Sequence, residues 1–296
     1  MQVSGLSKNY GSLRALDQFS LEVEKGQVWG ILGPNGSGKT TALGILLGVT
    51  LASAGEARWF GEAPSAKLRR RIGAILEQPN FYPWLSAEQN LKIVATLRGS
   101  IGADEIEKKL RTVGLWERRA DPFAKFSLGM KQRLAFASAL LGEPEVLVLD
   151  EPTNGLDAQA IAEVRETILA VAKEGKTILM ASHILAEVEK ICSHVVILQK
   201  GKTLSRGTIN QVLATGNSFE FSATAMDRAK EVVEKHASFR NLKPAGDRFL
   251  AEFESGVTAE SFNQWMFEQG VVLSHLSRQN HGLETQFLKL LEQNRA

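Results

Sequence analysis

The clearest chemical signal in the sequence is a glycine-rich loop near the N-terminus. It reads GPNGSGKTT from Gly33, and it lies between an apolar run that begins at Val28 and a helical pattern. In this context the glycines let backbone N–H groups surround phosphate oxygens, Lys39 neutralises phosphate charge, and Thr40 offers a hydroxyl to Mg²⁺. A glycine-rich turn with no ligand is the alternative. The predicted nucleotide-binding residues are Gly33, Pro34, Asn35, Gly36, Ser37, Gly38, Lys39, Thr40 and Thr41.

Polar side chains follow three further apolar runs, each at the point where the run ends. Gln78 follows IGAIL, Asp150 and Glu151 follow VLVL, and His183 follows TILMAS. Continuously apolar runs are typical of strands buried on both faces of a parallel sheet. Because ligands bind beyond the carboxyl ends of such strands, we expect these side chains to meet the phosphate loop at one edge of the sheet.

Each of these side chains has a plausible part in phosphoryl transfer to water. Asp150 can hold Mg²⁺, usually through water, and Glu151 can act as the general base. Gln78 can orient the water or touch the metal, and His183 can hydrogen-bond the γ-phosphate or the water. The alternatives are a helix N-cap with a first-turn acid at 150–151, a loop glutamine and a structural histidine. The predicted catalytic residues are Glu151, His183 and Gln78, and the predicted metal ligands are Thr40, Gln78 and Asp150.

The order of apolar runs and helical patterns predicts an α/β core followed by a small α+β domain. The core, residues 1–212, has antiparallel strands at its N-terminus and a helical subdomain inserted at about residues 79–143. Residues 213–218 are predicted to be a linker. The order βαββαβ with a trailing helix over residues 219–296 favours a ferredoxin-like accessory domain.

Composition excludes several classes of protein. The net charge is +2, so the total gives no nucleic-acid footprint, and we expect no nucleic-acid partner. No run of about 18 apolar residues occurs, so the chain is not expected to cross a membrane by itself. The N-terminus has no apolar segment of the kind found in secretory signals. A single cysteine precludes an intramolecular disulfide.

Together the motifs resemble the ATP-binding subunit of ABC transporters over about residues 1–210. GPNGSGKT resembles the Walker A motif of that family, ILEQP its Q-loop, FSLGMKQRLAFASALL its signature motif, VLVLDEPTNGLD its Walker B motif and D-loop, and MASHIL its switch histidine. The resemblance implies a P-loop NTPase core that binds and hydrolyses ATP with Mg²⁺. It also implies that Tyr10 stacks on adenine.

The same resemblance implies a homodimer. In this family the positions of Ser127, Gly129 and Asp157 contact ATP that is bound by a second copy, so two composite sites form in a head-to-tail dimer. The signature departs from the common form LSGGQ, because Leu128 replaces the first glycine and Met130 replaces the glutamine. The form SLGMKQR is similar to that of an exporter-type branch, of multidrug, antibiotic or motility-related kind.

The expected partner is a transmembrane permease subunit, which would place the chain peripherally on the cytoplasmic face of the cell membrane. In the family, the region after Gln78 receives a short helix of that subunit. Phe81, Tyr82 and Trp84 are either part of this groove or packing residues of the helical subdomain. Two other functions remain open: a soluble ABC ATPase that acts on ribosomes or DNA, and a nucleotide-gated assembly module without catalysis.

Overall fold

The computed structural model describes residues 1–76, 78–99, 102–213, 217–253, 256–279 and 283–293. The chain divides into two compact units, Met1–Arg206 and Gly207–Ala296. No helix among the described residues combines the length and apolar character needed to span a bilayer. Of the predicted linker, residues 214–216 lie outside the described residues.

The first unit contains most of the elements. Its helices and strands are β1 Gln2–Tyr10, β2 Leu13–Glu22, β3 Val28–Leu32, α1 Lys39–Leu46, β4 Ala54–Arg58, α2 Ala66–Arg69, β5 Ile72–Ile75, α3 Ala87–Arg98, α4 Ala103–Thr112, α5 Leu128–Leu140, β6 Val146–Asp150, α6 Ala158–Lys173, β7 Thr177–Ser182, α7 Leu185–Ile191, β8 His194–Gln199 and β9 Lys202–Thr208, of which β9 runs two residues past the division. The second unit has α8 Ile209–Leu213, β10 Asn217–Ala223, α9 Met226–Glu234, β11 Phe239–Ala245, β12 Arg248–Phe253, α10 Ala259–Glu268, β13 Leu273–Gln279 and α11 Leu283–Gln293.

The sheet that positions the candidate site has six strands in the described part of the chain, in the order β5-β6-β7-β3-β8-β9. Neighbouring strands from β5 through β8 are parallel. Every residue of β3, β6 and β7 is buried, as expected for strands covered on both faces. The parallel α/β core predicted from the apolar runs is therefore confirmed, and the ends of β6, β7 and β3 lie side by side.

A separate antiparallel sheet, β2-β1-β4, confirms the predicted N-terminal arrangement. Helix α1 shares one apolar core with both sheets, through buried side chains that include Phe19 of β2, Leu43 of α1 and Val148 of β6. The indole Nε1 of the fully buried Trp59 donates a hydrogen bond to the carbonyl of Leu46, 2.7 Å away. This bond holds the C-terminal end of α1 against the antiparallel sheet.

The inserted helical subdomain consists of α3, α4 and α5 with short 3₁₀ turns between α4 and α5. Ser86 and Gln89 form a reciprocal capping box that starts α3, and Gly99 ends the helix with a left-handed backbone. Ser127 caps α5 by accepting a hydrogen bond from the backbone N–H of Met130. The signature segment thus begins with a well-defined helix N-terminus.

The second unit has the predicted βαββαβ order, and its sheet runs β11-β12-β10-β13 with antiparallel pairing throughout. Its core is built from aromatic side chains, among them Phe219, Phe253 and Phe262. Helix α8 packs against α11. This packing places α8 in the second unit, so the division falls before the sequence-predicted boundary at 212.

A charged cluster joins the helical subdomain to the sheet at the turn between α5 and β6. The carboxylate of Glu143 contacts Lys109 of α4 at 2.6 Å and Lys176, next to β7, at 3.2 Å. The hydrogen bond from Lys109 is the main cause that lowers the pKa of Glu143 to about 2. Because the folded pKa lies below the unfolded value, this interaction stabilises the fold above pH 4.5 and is lost as the pH falls toward 2.

We predict that Glu143→Gln lowers the apparent melting temperature at pH 7 by about 2–4 °C, the shift given by roughly 1 kcal/mol once solvent screening of this half-exposed carboxylate is allowed for. The difference from wild type should shrink as the pH is lowered from 4.5 toward 2, which thermal unfolding at several pH values would measure. Glu56→Gln, in an exposed pair with Arg58, is the matched control and should change little. A difference that is independent of pH would contradict the assignment.

Candidate functional site

The glycine-rich loop is shaped by close approaches of the backbone. A Cβ atom on Gly33 would collide with the hydroxyl of Ser37 and with the carbonyl oxygen of Leu198 at the end of β8. Gly38, with φ of 105°, lies against the carbonyl oxygen of Ala15 and caps α1. These two positions tolerate no side chain, so the loop holds its curve between β3 and α1.

The side chain of Lys39 turns back into the loop. Its Nζ donates to the carbonyl oxygens of Gly33 at 2.8 Å and Pro34 at 3.3 Å, and the residue is only 5% exposed. The hydroxyl of Ser37 is buried and makes no hydrogen bond within the described residues. A buried cation and an unsatisfied hydroxyl in a glycine-rich loop that precedes a helix N-terminus fit a phosphate group.

The acidic pair at the end of β6 lies beside this loop. Asp150 is 1% exposed and is the last residue of the strand. Glu151 has a left-handed backbone with φ of 48°, and its N–H donates to the carbonyl of Ala181 in β7 at 3.0 Å. Helix α6 begins only at Ala158 and is capped by Asp157, so the alternative interpretation of 150–151 as a helix N-cap is wrong.

The carboxylate of Glu151 joins two of the predicted residues. Its Oε1 lies 3.4 Å from the Nζ of Lys39, and its Oε2 lies 2.8 Å from the Nδ1 of His183. Oε2 also accepts a hydrogen bond from the backbone N–H of His183 at 3.3 Å. The ends of β3, β6 and β7 therefore bring a cation, a carboxylate and an imidazole into direct contact.

Four other predicted residues lie outside the contacts of Lys39, Glu151 and His183. Thr40 at the start of α1 is exposed, and Thr41 is half-buried. Tyr10 ends β1 with 49% of its surface exposed, and the ammonium of Lys8 lies 4.9 Å from its ring. Gln78 is exposed, and among the described residues it makes no hydrogen bond to Lys39, Glu151 or His183. The structure thus does not join Tyr10 or Gln78 to the buried cluster.

The residues predicted to serve a second copy form their own group. Ser127 caps α5, and Asp157 caps α6 by accepting from the N–H of Ala160 at 2.8 Å. A Cβ on Gly129 would lie 2.8 Å from the Cβ of Ala160, so the two helix starts approach closely. Ser127, Gly129 and Asp157 line one cavity of about 410 Å³.

The sequence analysis did not identify Asn90, which fixes the loop that follows Gln78. Asn90 of α3 is 1% exposed, and its amide bonds the N–H and carbonyl of Tyr82 and the carbonyls of Leu85 and Ser86. It therefore fixes the loop after Gln78. The available signal was a polar residue at a position where the helix periodicity requires an apolar one.

Comparison with known proteins identifies the family. The profile described as ABC transporter matches residues 16–154. The bacitracin transport ATP-binding protein BcrA of Bacillus licheniformis is 36% identical over 296 residues, which cover 98% of this chain and 97% of that protein. The chain belongs to the ATP-binding subunits of ABC transporters. It is an ATPase that powers a separate transmembrane transporter, as the resemblance implied.

Two further similarities agree with this membership. The lantibiotic transport ATP-binding protein SrtF of Streptococcus pyogenes is 40% identical over 204 residues, 69% of this chain and 89% of that protein. A solved structure of an ATP-binding subunit of an ABC transporter is 31% identical, covers 71% of this chain and 90% of its own, and superposes with a TM-score of 0.65. The predicted P-loop NTPase fold is confirmed.

We predict that Gly33→Ala weakens ATP binding by about tenfold or more, because the added methyl group forces the loop away from Leu198 and Ser37. Isothermal titration with ATP would measure the dissociation constant. Gly102→Ala is the matched control, since a Cβ there meets no atom within 4 Å. A folded Gly33→Ala protein with wild-type affinity would contradict the role assigned to the loop.

Proposed function

We propose that Glu151 is the general base of ATP hydrolysis and that His183 positions it. The observation that carries this proposal is the contact of one carboxylate with both Lys39 and His183 at the edge of the parallel sheet. Binding of the γ-phosphate would draw Lys39 toward phosphate oxygens, leaving Glu151 oriented by His183 to accept a proton from water. Gln78 would complete the water site, and Tyr10 would stack on adenine.

The residues at this edge also fit Mg²⁺. A buried carboxylate at Asp150 and a hydroxyl at Thr40 are hard oxygen donors, the type that Mg²⁺ prefers, and the phosphates supply the remaining ligands. When bound, the metal would neutralise charge that develops on the phosphates. We assign Thr40, Asp150 and Gln78 to this site.

We propose that Ser127, Gly129 and Asp157 close over ATP held by a second copy of the chain. The hydroxyl of Ser127 accepts from the N–H of Met130, which leaves its proton available for a phosphate oxygen. The first N–H groups of α5 lack partners within the helix and favour an anion. Leu128, which replaces the first glycine of the common signature, is 40% exposed and lines the same cavity.

The membrane subunit is proposed to dock beside Gln78. A cavity of about 610 Å³ is lined by Gln78, Phe81, Tyr82 and apolar residues of α3, including Leu97. Trp84 is 72% exposed and its ring lies 5.6 Å from that of Tyr82, which supports a role in recognition over one in internal packing. Phe81 instead packs edge-on against Phe123 and forms the floor of the groove.

The transported molecule is proposed to be a peptide antibiotic that is exported. Similarity to the bacitracin transport protein extends over both units of this chain, whereas the lantibiotic relative matches 69% of it. The signature form SLGMKQR supports export, as the sequence resemblance implied. The chain would then act at the cytoplasmic face of the membrane, with the second unit as an accessory domain and no nucleic-acid partner.

Substitution of Glu151 tests its proposed role as the base. Glu151→Gln should bind ATP and hydrolyse it at least about 100-fold more slowly than wild type, because the amide cannot accept the proton. Steady-state phosphate release and ATP titration would measure the two properties, with Glu145→Gln as a matched control outside the cluster. A wild-type rate of ATP hydrolysis in Glu151→Gln would show that Glu151 is not the general base.

The same variant identifies the partner. Purification of Glu151→Gln with ATP and Mg²⁺ from detergent-solubilised cells should recover a polytopic membrane protein, whose transported substrate can then be tested with bacitracin. Recovery of ribosomes or nucleic acid without a membrane protein would instead contradict two proposals: that the partner is a membrane protein, and that the chain has no nucleic-acid partner.

We predict that Trp84→Ala reduces sedimentation of the chain with membranes that contain its permease by about tenfold, since exposed aromatic anchors contribute strongly to interfaces. ATP affinity should not change. Phe267→Ala removes an aromatic ring of similar exposure, 69%, from the second unit and is the matched control. If Trp84→Ala sedimented with these membranes as strongly as wild type and Phe267→Ala do, the groove would not be the docking site.

A further inference from the structure

Helix α7, which follows the switch histidine, is too short to fix its own position. It has seven residues, Leu185–Ile191, and the N-cap residue before it, Ile184, makes no side-chain cap. The ring of His183 is not held by packing either, because its side chain is 42% exposed. Apart from the two bonds of His183 to Glu151, the ring is therefore positioned by the way in which the flanking Ser182 and α7 are anchored.

One side of α7 is anchored by close apolar packing. Val188 is fully buried against β3, where a Cβ on Gly30 would lie 2.6 Å from its Cγ1. Ile191 and Cys192 are also buried at the end of the helix. These contacts hold the middle and the C-terminal end of α7 on the sheet, whereas Leu185 and Ala186 at its N-terminal end, next to the switch histidine, are not buried.

The other side of α7 is anchored by a charged pair. The Nη1 of Arg165 in α6 donates to both carboxylate oxygens of Glu187, at 2.9 and 3.0 Å. The side chain of Glu187 is only 8% exposed, and Lys190 adds a contact at 3.4 Å. A carboxylate buried to this extent strongly favours conformations in which the guanidinium stays in place.

Helix α6 connects this pair to the signature segment. It begins at Ala158 after the cap Asp157, and Arg165 lies about 12 Å from the cap along the helix. Between them, Glu163 pairs with Arg133 of α5 at 3.4 Å. Helix α6, capped by Asp157, thus contacts the signature helix through Glu163 and the switch helix through Arg165.

We infer that Arg165 and Glu187 are positioning residues that hold His183 against Glu151 and link it to the start of α6. This inference rests on the proposed role of His183 in ATP hydrolysis. Without the pair, α7 shifts on its apolar face, and the imidazole leaves the carboxylate of Glu151. Neither Arg165 nor Glu187 touches the phosphate loop, so ATP affinity does not depend on them.

The test uses the full chain and five variants. Arg165→Gln breaks the pair, Glu187→Gln keeps the volume of the carboxylate, Arg165→Lys keeps the charge, and Lys109→Gln breaks another buried cation's pairing far from His183. NMR of protein with isotope-labelled histidine reports the environment of each of the five imidazoles, and His183→Ala assigns the signal of His183. ATP titration and steady-state hydrolysis complete the set.

We expect Arg165→Gln and Glu187→Gln to shift the His183 signal and to lower kcat by about 10- to 100-fold with an ATP dissociation constant within about twofold of wild type. Arg165→Lys should restore most of kcat, and Lys109→Gln should leave the His183 signal unchanged. A wild-type His183 signal in folded Arg165→Gln or Glu187→Gln overturns the inference. Wild-type kcat in His183→Ala would instead remove the proposed role of His183, a result independent of the NMR signal.

Discussion

The site depends on the interaction of the buried Lys39 ammonium with the oxygen atoms around it. A cation with so little exposure destabilises a fold unless oxygen atoms surround it. Here two carbonyls of the loop and the carboxylate of Glu151 do so. They can meet only because β6, β7 and β3 are adjacent and parallel, so that three strand ends point to the same edge. Phosphate oxygens can replace the loop carbonyls without leaving the cation unpaired.

Charged pairs also connect the parts of the first unit that lie outside the sheet. Glu143 joins α4 to the start of β7, Glu163 joins α6 to α5, and Glu187 joins α7 to α6. A hydrogen-bonded ion pair such as that of Arg165 with Glu187 adds geometric specificity to the alignment of two elements beyond what apolar packing provides. The helices around the site are thus aligned by specific pairs rather than by packing alone.

The sequence predicted the elements whose patterns are local and strong. The apolar runs at β3, β6 and β7, the glycine loop and the βαββαβ order each follow from periodicity and turn residues, and the structure confirms them. Contacts between distant residues were not predictable in the same way. The ion pair of Arg165 with Glu187 and the hydrogen bonds of Asn90 depend on tertiary packing. Such contacts cannot be predicted from the local sequence pattern around either residue. The contact of α8 with α11 is of the same kind, because the two helices are far apart in the sequence.

The left-handed backbone of Glu151 carries a consequence for how such chains diverge. A residue with a Cβ in this conformation is less favourable than glycine by roughly 1–2 kcal/mol, since the Cβ crowds the carbonyl. Backbone energetics therefore favour glycine at 151, while the proposed proton abstraction needs a carboxylate there. Where a lineage no longer needs ATP turnover, replacement of Glu151 by glycine would relieve conformational strain as it removes the proposed base, so loss of catalysis and gain of stability can arise in a single step.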